Sequence, residues 1–210
     1  MVDVKEQISA VRRTQGRRQL EAGEAQVSTL SRVFDTDIDD LWDVVTSAER
    51  IPRWFLPISG DLKEGGHYQL EGNAGGTITR CEKPNSYAAT WEYGGAMSWI
   101  EVRLTPEGAG RTRFELEHVA HVADEFWREF GPGATGLGWD LGLFGLAGYL
   151  AGPDAAVQPS EAAAWMASAD GKEFIRLSSE AWYEAHVAAG EDPLIARGMA
   201  DRSYAAYTAS

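Results

Sequence analysis

The segment from Gly133 to Gly152, GATGLGWDLGLFGLAGYLAG, limits what this chain can fold into, because it contains one charged residue, Asp140, among apolar residues and glycines. Such a segment needs cover on more than one side, from lipid or from protein. Its length is marginal for a membrane span of about 20 apolar residues, and the charge and the glycines argue against one. A flexible linker would lack its bulky side chains. We therefore expect a helix packed inside a folded domain.

Helical spacing divides this segment into stripes, and we expect the stripes to face different surroundings. The Leu and Phe stripe, which we expect to face a cavity, contains Leu137, Leu141 and Phe144, flanked by Trp139, Leu143, Leu146 and Leu150. The glycine stripe, which we expect to face protein, contains Gly138, Gly142, Gly145 and Gly152.

Short segments of strand character precede this helix. They are ISGDL, HYQLEG, TITRCE, YAATWEY, SWIEVRL and RTRFELEHV, and Gly, Pro or Asn separates them. Five or six such segments at regular intervals predict an antiparallel meander. Before the meander we predict a strand from Val27 to Phe34, a helix in TDIDDLWDVVTSAER with Thr36 as its cap, and a short helix through AERIPRWF.

Helical patterns return after Pro153. We predict helices from about Ser160, from about Lys172 to Ala189, and from Asp192 onward, where Pro follows the cap. The stripe Phe174, Leu177, Ala181 and Ala185 of the middle helix is expected to contact the main body. We divide the chain into a solvated arm (1–26), a main domain (27–152) and a helical extension packed on it (153–210).

Charge and cysteine content exclude several classes of function. The chain has 210 residues and a formal net charge of −13, which argues against nucleic acid as a partner. Its first 20 residues are basic and are expected to be solvated. The single cysteine, Cys81, excludes an internal disulfide and fits a reducing cytoplasm, and the N-terminal residues lack the apolar run of a signal peptide. We expect a cytoplasmic protein that does not bind membranes.

Few residues suggest metal or cofactor chemistry. His118, His121 and Asp124 could be taken for metal ligands, but residues three apart on a strand point to opposite faces, so we expect no metal. The glycine-rich turns lie between strands and do not precede a helix, which argues against a phosphate loop, and we expect no cofactor. No serine has the spacing of a nucleophile elbow.

The order of these elements resembles the START-like, or SRPBCC, superfamily, in its branch named for homologues of the heat-shock-protein-90 ATPase activator. The resemblance covers Val27 to Gly152. It depends on DTDIDDLWDVVTSAERIPRWF, LKEGGHYQL, YAATWEY, RTRFELEH and GLGWDLGLFGLAGYL in this order. It implies the helix-grip fold of class α+β, in which a curved antiparallel sheet wraps around a long C-terminal helix. This fold hosts carriers, cyclases and interaction domains.

The resemblance also implies a cavity between the long helix and the concave face of the sheet. Strand alternation and helix periodicity direct several residues into it, and the resemblance places two more at its mouth. The candidate ligand-binding residues are Trp54, Phe55, Tyr68, Trp91, Tyr93, Trp99, His118, Trp139, Leu141 and Phe144.

Two polar residues leave alternatives open. We expect His118 to point inward, either as a core histidine that is hydrogen-bonded to a neighbour or as a polar anchor or general base in the cavity. Asp140 is expected on the solvent face of the helix; if it is buried instead, it needs a partner such as an arginine. Glu115 and Glu117 are expected on the solvated outer face of their strand.

Two hypotheses about function follow. The first is a binding protein that holds a small hydrophobic or aromatic molecule in the cavity, with cyclase-like or other catalytic activity left open. The second is an interaction module of the heat-shock ATPase activator type, with a chaperone or another protein as its partner.

Overall fold

Eight antiparallel strands form one sheet in the computed structural model, which describes residues 2–121, 125–152, 155, 157 and 161–209. The strands are β1 (Arg12–Leu20), β2 (Gly23–Phe34), β3 (Ile58–Gly60), β4 (His67–Leu70), β5 (Gly75–Glu82), β6 (Ser86–Tyr93), β7 (Ala96–Pro106) and β8 (Thr112–His121). Their order across the sheet is β1-β2-β8-β7-β6-β5-β4-β3. Strands β3 to β8 are thus neighbours in chain order, which confirms the predicted meander.

Seven α-helices occur among the described residues. They are α1 (Val4–Ala10), α2 (Ile38–Thr46), α3 (Glu125–Phe130), α4 (Gly133–Ala151), α5 (Ala162–Ala167), α6 (Ala169–Ala188) and α7 (Pro193–Thr208), and a 3-10 helix spans Ile51–Arg53. The side chain of Asp37 accepts a hydrogen bond from the Asp40 amide at 2.9 Å, so Asp37 and not Thr36 caps α2. Helix α3 was not predicted.

The long helix α4 packs against the concave face of the sheet. The main core joins Leu30, Val102 and Leu116 of the sheet to Leu137, Leu143 and Leu146 of α4. The predicted fold class, a curved antiparallel sheet around a long helix, is confirmed. None of the described helices combines the length and the apolar character needed to cross a bilayer.

The prediction of a solvated arm at residues 1–26 is wrong. Helix α1 is capped by Asp3, and β1 pairs with β2 from Arg12↔Ser31 to Leu20↔Gly23. Strand β2 therefore begins at Gly23 and not at Val27. The basic residues of this segment suggested a solvated arm in place of a strand. They lie on an edge strand of the sheet, where charged side chains discourage pairing with another chain.

Helices α5 and α6, which follow the long helix, pack on α4. The Phe144 ring of α4 lies 4.6 Å from the Trp165 ring of α5 and 5.2 Å from the Phe174 ring of α6. Of the predicted stripe on α6, Phe174 is fully buried, but the buried face continues through Ser178 and Trp182 and not through Leu177 and Ala181. The predicted start at Ser160 and the boundary at Pro153 lie outside the described residues.

Candidate functional site

A cavity of about 120 Å³ lies between α4 and the concave face of the sheet. Its walls are aromatic and aliphatic side chains. The aromatic members are Trp54, Phe55, Tyr68, Tyr87, Trp91, Phe114 and Trp139, and the aliphatic ones include Leu30, Val45, Ile100, Leu116 and Leu143. Among the described residues, no Lys, Arg, Asp or Glu lines it. Apolar walls with few polar groups are the usual composition of a small-molecule site.

A row of four aromatic rings runs along one wall of the cavity. The Trp54 and Phe55 rings stack at 5.4 Å, Phe55 and Trp139 stack at 6.2 Å, and Trp139 lies 4.7 Å from Trp91. The row connects the 3-10 helix at Ile51–Arg53, which precedes Trp54, to α4 and then to β6. Three separate elements thus form one continuous aromatic surface.

Two glycines of α4 allow this close approach. A Cβ atom on Gly145 would overlap the Trp54 carbonyl oxygen, and one on Gly142 would lie 3.3 Å from the Phe55 ring. The Trp54 indole in turn donates to the Val44 carbonyl oxygen at 3.0 Å, which fixes its ring. The absence of side chains at these two positions lets Trp54 and Phe55 pack directly on α4.

A chain of hydrogen bonds fixes the inner rings. The Trp139 indole N–H donates to His118 Nδ1 at 3.0 Å, and His118 Nε2 lies 2.8 Å from Ser98 Oγ. Because an indole N–H can only donate, His118 carries its proton on Nε2 and donates it to Ser98. Ser98 then donates to the Trp91 carbonyl oxygen at 3.1 Å. His118 therefore determines the orientation of Trp139 relative to the strands beneath it.

Burial keeps this histidine neutral. The His118 side chain is 3% exposed, and loss of hydration lowers its pKa from 6.5 to about 4. Both ring nitrogens are engaged in hydrogen bonds, and the Trp91 and Trp139 rings pack around it. The expectation of a core histidine bonded to a neighbour is confirmed.

Two tyrosine hydroxyls belong to the cavity walls, and they differ in their partners. Tyr68 donates to the Thr90 carbonyl oxygen at 2.8 Å. Tyr87, which lies on β6 opposite Val102, has no hydrogen-bond partner for its hydroxyl among the described residues. Burial raises the pKa of both phenols well above the ordinary value, so both keep their protons at neutral pH.

The structure places six of the ten candidate residues at the cavity or directly behind it. Trp54, Phe55, Tyr68, Trp91 and Trp139 line the cavity, and His118 holds Trp139 from behind. Leu143 and Gly142 of α4 also line it, although the glycine stripe was expected to face protein elsewhere. Of that stripe, Gly138 does face the extension, at Tyr207.

The prediction is wrong for the other four candidates, none of which lines the cavity. Tyr93 lies at the tip of the β6–β7 hairpin, 59% exposed, and Trp99 points to the convex face, where its ring contacts His121 at 5.3 Å. Leu141 packs against the main core, and Phe144 packs on the extension. The prediction that the Leu and Phe stripe faces the cavity is wrong for both, because neither lines the cavity and the extension covers Phe144.

Asp140 is buried, which corrects the prediction of a solvent-facing carboxylate. It is 1% exposed and forms an ion pair with Arg13 of β1 at 2.8 Å. Its other oxygen accepts from Ser178 Oγ at 2.5 Å and from the Trp182 indole at 3.0 Å. The arginine partner expected for a buried Asp140 is present, but the group lies on the side of α4 away from the cavity.

The outer face of the sheet carries ion pairs. Glu117 is buried under Arg18, whose guanidinium bonds both of its oxygens at 2.8 and 2.9 Å, and Glu115 pairs with Arg103. The expectation of a solvated face was therefore wrong for Glu117. No group of His, Cys, Asp or Glu in the described part of the chain could hold a metal ion, and Asp124 lies outside that part.

Sequence reasoning missed Ser98, Tyr87 and the cavity role of Gly142. Tyr87 was accessible from the sequence, since it shares the alternation of Ala89 and Trp91 in YAATWEY. Alternation in SWIEVRL also places Ser98 on the face of Ile100, but its bond to His118 depends on the register that pairs Ile100 with His118, which the sequence did not indicate.

The chain is similar to a known family and to solved structures. The model of the family described as Activator of Hsp90 ATPase homolog 1-like protein matches residues 35–151. The crystal structure of CalU16 from Micromonospora echinospora is 34% identical, with a TM-score of 0.64, and the match covers 86% of this chain and 98% of that chain. The solution NMR structure of CalU16 is 33% identical, with a TM-score of 0.68, covering 86% and 97%.

A more distant structure shares the fold alone. EF2215 from Enterococcus faecalis, a conserved protein of unknown function, is 13% identical with a TM-score of 0.59, and the match covers 84% of this chain and 92% of that chain. No curated protein matches the sequence. The match to CalU16 covers more of the chain than residues 35–151, so part of the flanking segments is shared as well.

Proposed function

Because the chain belongs to the family of Activator of Hsp90 ATPase homolog 1-like proteins, we propose that it uses the fold of this family to bind a small hydrophobic or aromatic molecule in the cavity between the sheet and α4. The observation that carries the proposal is the aromatic row Trp54, Phe55, Trp139 and Trp91 along an uncharged cavity. Planar rings offer an apolar ligand large contact areas and defined stacking geometry.

The volume of the cavity limits the size of the ligand that it can hold. A volume of about 120 Å³ is close to that of an engineered apolar cavity of ~150 Å³ that binds benzene. Burying one aromatic ring of ~150 Å² yields about 4 kcal/mol, which corresponds to a Kd of about 1 mM. A larger ligand would bind more tightly but would have to displace side chains of the cavity wall.

The proposal concerns binding and not turnover. Cyclase-like chemistry would need a base in contact with the ligand. His118 already uses both of its ring nitrogens, and among the described residues no carboxylate or lysine lines the cavity. The inner histidine therefore supports the role of a positioning residue.

A cavity-filling variant tests the proposal. Ala89 is 2% exposed and lines the cavity, whereas its neighbour Ala88 points to the opposite face. We expect toluene at saturating concentration to raise the Tm of the wild type and of Ala88→Leu by several degrees. Ala89→Leu fills the space and should show no such shift. An equal shift in both variants would place binding elsewhere and would contradict the proposal.

The description of the family supports a second candidate, a module that acts on a chaperone of the Hsp90 type. The acidic net charge of −13 and the helical extension would supply its contact surface. The rate of ATP hydrolysis by a purified Hsp90 chaperone, measured with and without the protein, tests this role. Stimulation that persists in Ala89→Leu would favour the second candidate, and an unchanged rate would exclude it for that chaperone.

We also propose a cytoplasmic location. It is supported by the free, exposed thiol of Cys81, which suits a reducing compartment. Fractionation of cells that produce the tagged protein would test it, and recovery in the exported fraction would contradict it.

A further inference from the structure

Tyr87 is a polar group of the cavity wall that the protein itself leaves unused. Its ring packs edge-on against Trp42 at 6.2 Å, which fixes the side chain at the β6 side of the cavity. Its hydroxyl has no hydrogen-bond partner among the described residues, whereas the nearby Tyr68 hydroxyl is bound to the Thr90 carbonyl. Tyr68 on β4 and Tyr87 on β6 line the same cavity.

Tyr87 is half-buried, and its hydroxyl is not among the fully buried polar atoms that lack a partner, so a molecule in the cavity can reach it. A ligand that covered this hydroxyl without bonding to it would remove its water and leave it unpaired, which is unfavourable. The two other hydroxyl groups among the described residues that line this cavity already have partners within the protein. Tyr68 bonds Thr90, and Thr46 donates to the Trp42 carbonyl oxygen at 2.7 Å. Tyr87 is thus the group whose hydrogen-bonding capacity is open to a ligand.

The walls also limit the charge of the ligand. Among the described residues that line the cavity, none is a cation that could pair with an acid and none is a carboxylate that could pair with an amine. A charged group would enter without a counterion at a large cost in hydration. The cavity therefore suits an uncharged molecule.

We infer, on the basis of the proposed function, that the cavity selects an uncharged aromatic ring bearing a hydroxyl or carbonyl group, and that the Tyr87 hydroxyl is the residue group that binds this oxygen. The aromatic row contacts the faces of the ring, and Tyr87 recognises its one polar substituent. Tyr87 is then a specificity-determining residue, since a site with an unpaired polar group discriminates against ligands that cannot pair with it.

Phenol and toluene test this inference, because they have the same ring and the same number of heavy atoms. Their Kd values would be measured by titration calorimetry with the wild type, with Tyr87→Phe and with Tyr93→Phe, a matched control at the exposed hairpin tip. In Tyr87→Phe we expect phenol to bind about three- to tenfold more weakly relative to toluene than it does in the wild type. In Tyr93→Phe the ratio should be unchanged. Benzoate should bind the wild type more weakly than phenol.

The outcomes separate this inference from the proposed function. Binding of toluene with a phenol-to-toluene ratio that is the same in the wild type and Tyr87→Phe would overturn the role of Tyr87 and leave the binding function standing. Absence of binding by both ligands would overturn the proposed function itself. If Tyr87→Phe fails to fold, nuclear Overhauser effects between bound phenol and the Tyr87 ring in the wild type decide the question, and their absence at saturation would refute the inference.

Discussion

At the scale of single residues, His118 illustrates how burial gives a histidine a structural function. Its two nitrogens join Trp139 to Ser98, and the pKa of about 4 keeps it neutral at physiological pH. A neutral imidazole can accept and donate at once, which this chain of bonds needs; the protonated form could only donate and would break the bond from Trp139.

The lowered pKa predicts a pH dependence of stability. The unfolded chain takes up a proton at His118 near pH 6.5, while the folded protein does so only near pH 4. Stability from this residue is therefore complete above pH 6.5 and is lost as the pH falls toward 4, by about 3 kcal/mol in all. Urea unfolding across this range should show a shallower pH dependence in His118→Gln than in the wild type. His67→Gln, at an exposed position, should keep the wild-type slope, and equal slopes in all three proteins would contradict the assignment.

Cys81 provides a reporter of cavity occupancy. It lines the cavity, it is exposed, and it is the only cysteine in the sequence. We expect a disulfide reagent to modify it more slowly as toluene fills the cavity, in proportion to the bound fraction. In the double variant Cys81→Ser/Ser59→Cys the thiol lies on β3 outside the cavity wall, so its rate should not respond to toluene. A ligand-independent rate at Cys81 would argue against binding in this cavity.

Strand alternation predicted the inner residues correctly where the strand lies over the core. Tyr68 and Trp91 are examples. It failed for Tyr93, because the hairpin tip extends past the core, and for Trp99, because Ile100 beside it is the residue that points inward. Alternation assigns a side chain to one of two faces, but it does not say where along the strand the cavity ends.

At the scale of elements, α4 shows why helical periodicity alone could not assign faces. The helix is apolar on nearly every side because the sheet, the segment at Trp54 and Phe55, and the extension all cover it. Because the helix has no solvent-facing side, the sequence did not indicate which apolar stripe contacts which neighbouring element. The existence and bounds of the helix could be predicted, but the partner of each stripe depended on contacts with α5 and α6.

Alanine substitution at two glycines of α4 should change the free energy of unfolding in opposite directions. Gly145→Ala would drive a methyl group into the Trp54 carbonyl, so we expect it to destabilise the protein by about 1–3 kcal/mol. At Gly138 the new methyl group meets only the end of the Tyr207 side chain, at 3.3 Å. Gly138→Ala should therefore gain up to about 1 kcal/mol of helix propensity. Denaturant unfolding checks both, and a neutral Gly145→Ala would mean that the close approach of Trp54 is not required.

At the scale of the whole molecule, one buried polar cluster joins the N-terminal segment, α4 and the extension. Arg13 of β1 binds Asp140 of α4, which binds Ser178 and Trp182 of α6. Arg13 also donates to the carbonyl oxygens of Ile8 and Val11 at 3.1 and 2.9 Å, so the cluster includes the end of α1. We propose that the three parts divided at residues 26 and 152 fold as one unit.

Substitutions in this cluster should lower the free energy of unfolding of the whole protein. Asp140→Asn leaves the Arg13 guanidinium, 3% exposed, without its counterion and should cost about 3–5 kcal/mol. Ser178→Ala removes one bond to the same carboxylate and should cost about 1–2 kcal/mol. Near- and far-ultraviolet circular dichroism should follow one coincident unfolding transition in the wild type and in Ser178→Ala. Separate transitions would contradict a single folding unit.

The central claim, that the cavity between the sheet and α4 binds a small aromatic molecule, is tested most directly by the indole N–H signals in a nitrogen–proton NMR titration. The eight tryptophans, assigned by single Phe substitutions, form a map of the molecule. As toluene is added, we predict saturable shifts for Trp54, Trp91 and Trp139, which line the cavity, and none for Trp165 and Trp182, which pack among the helices. Saturable shifts confined to Trp165 and Trp182, or no saturable shift at any tryptophan, would contradict the claim.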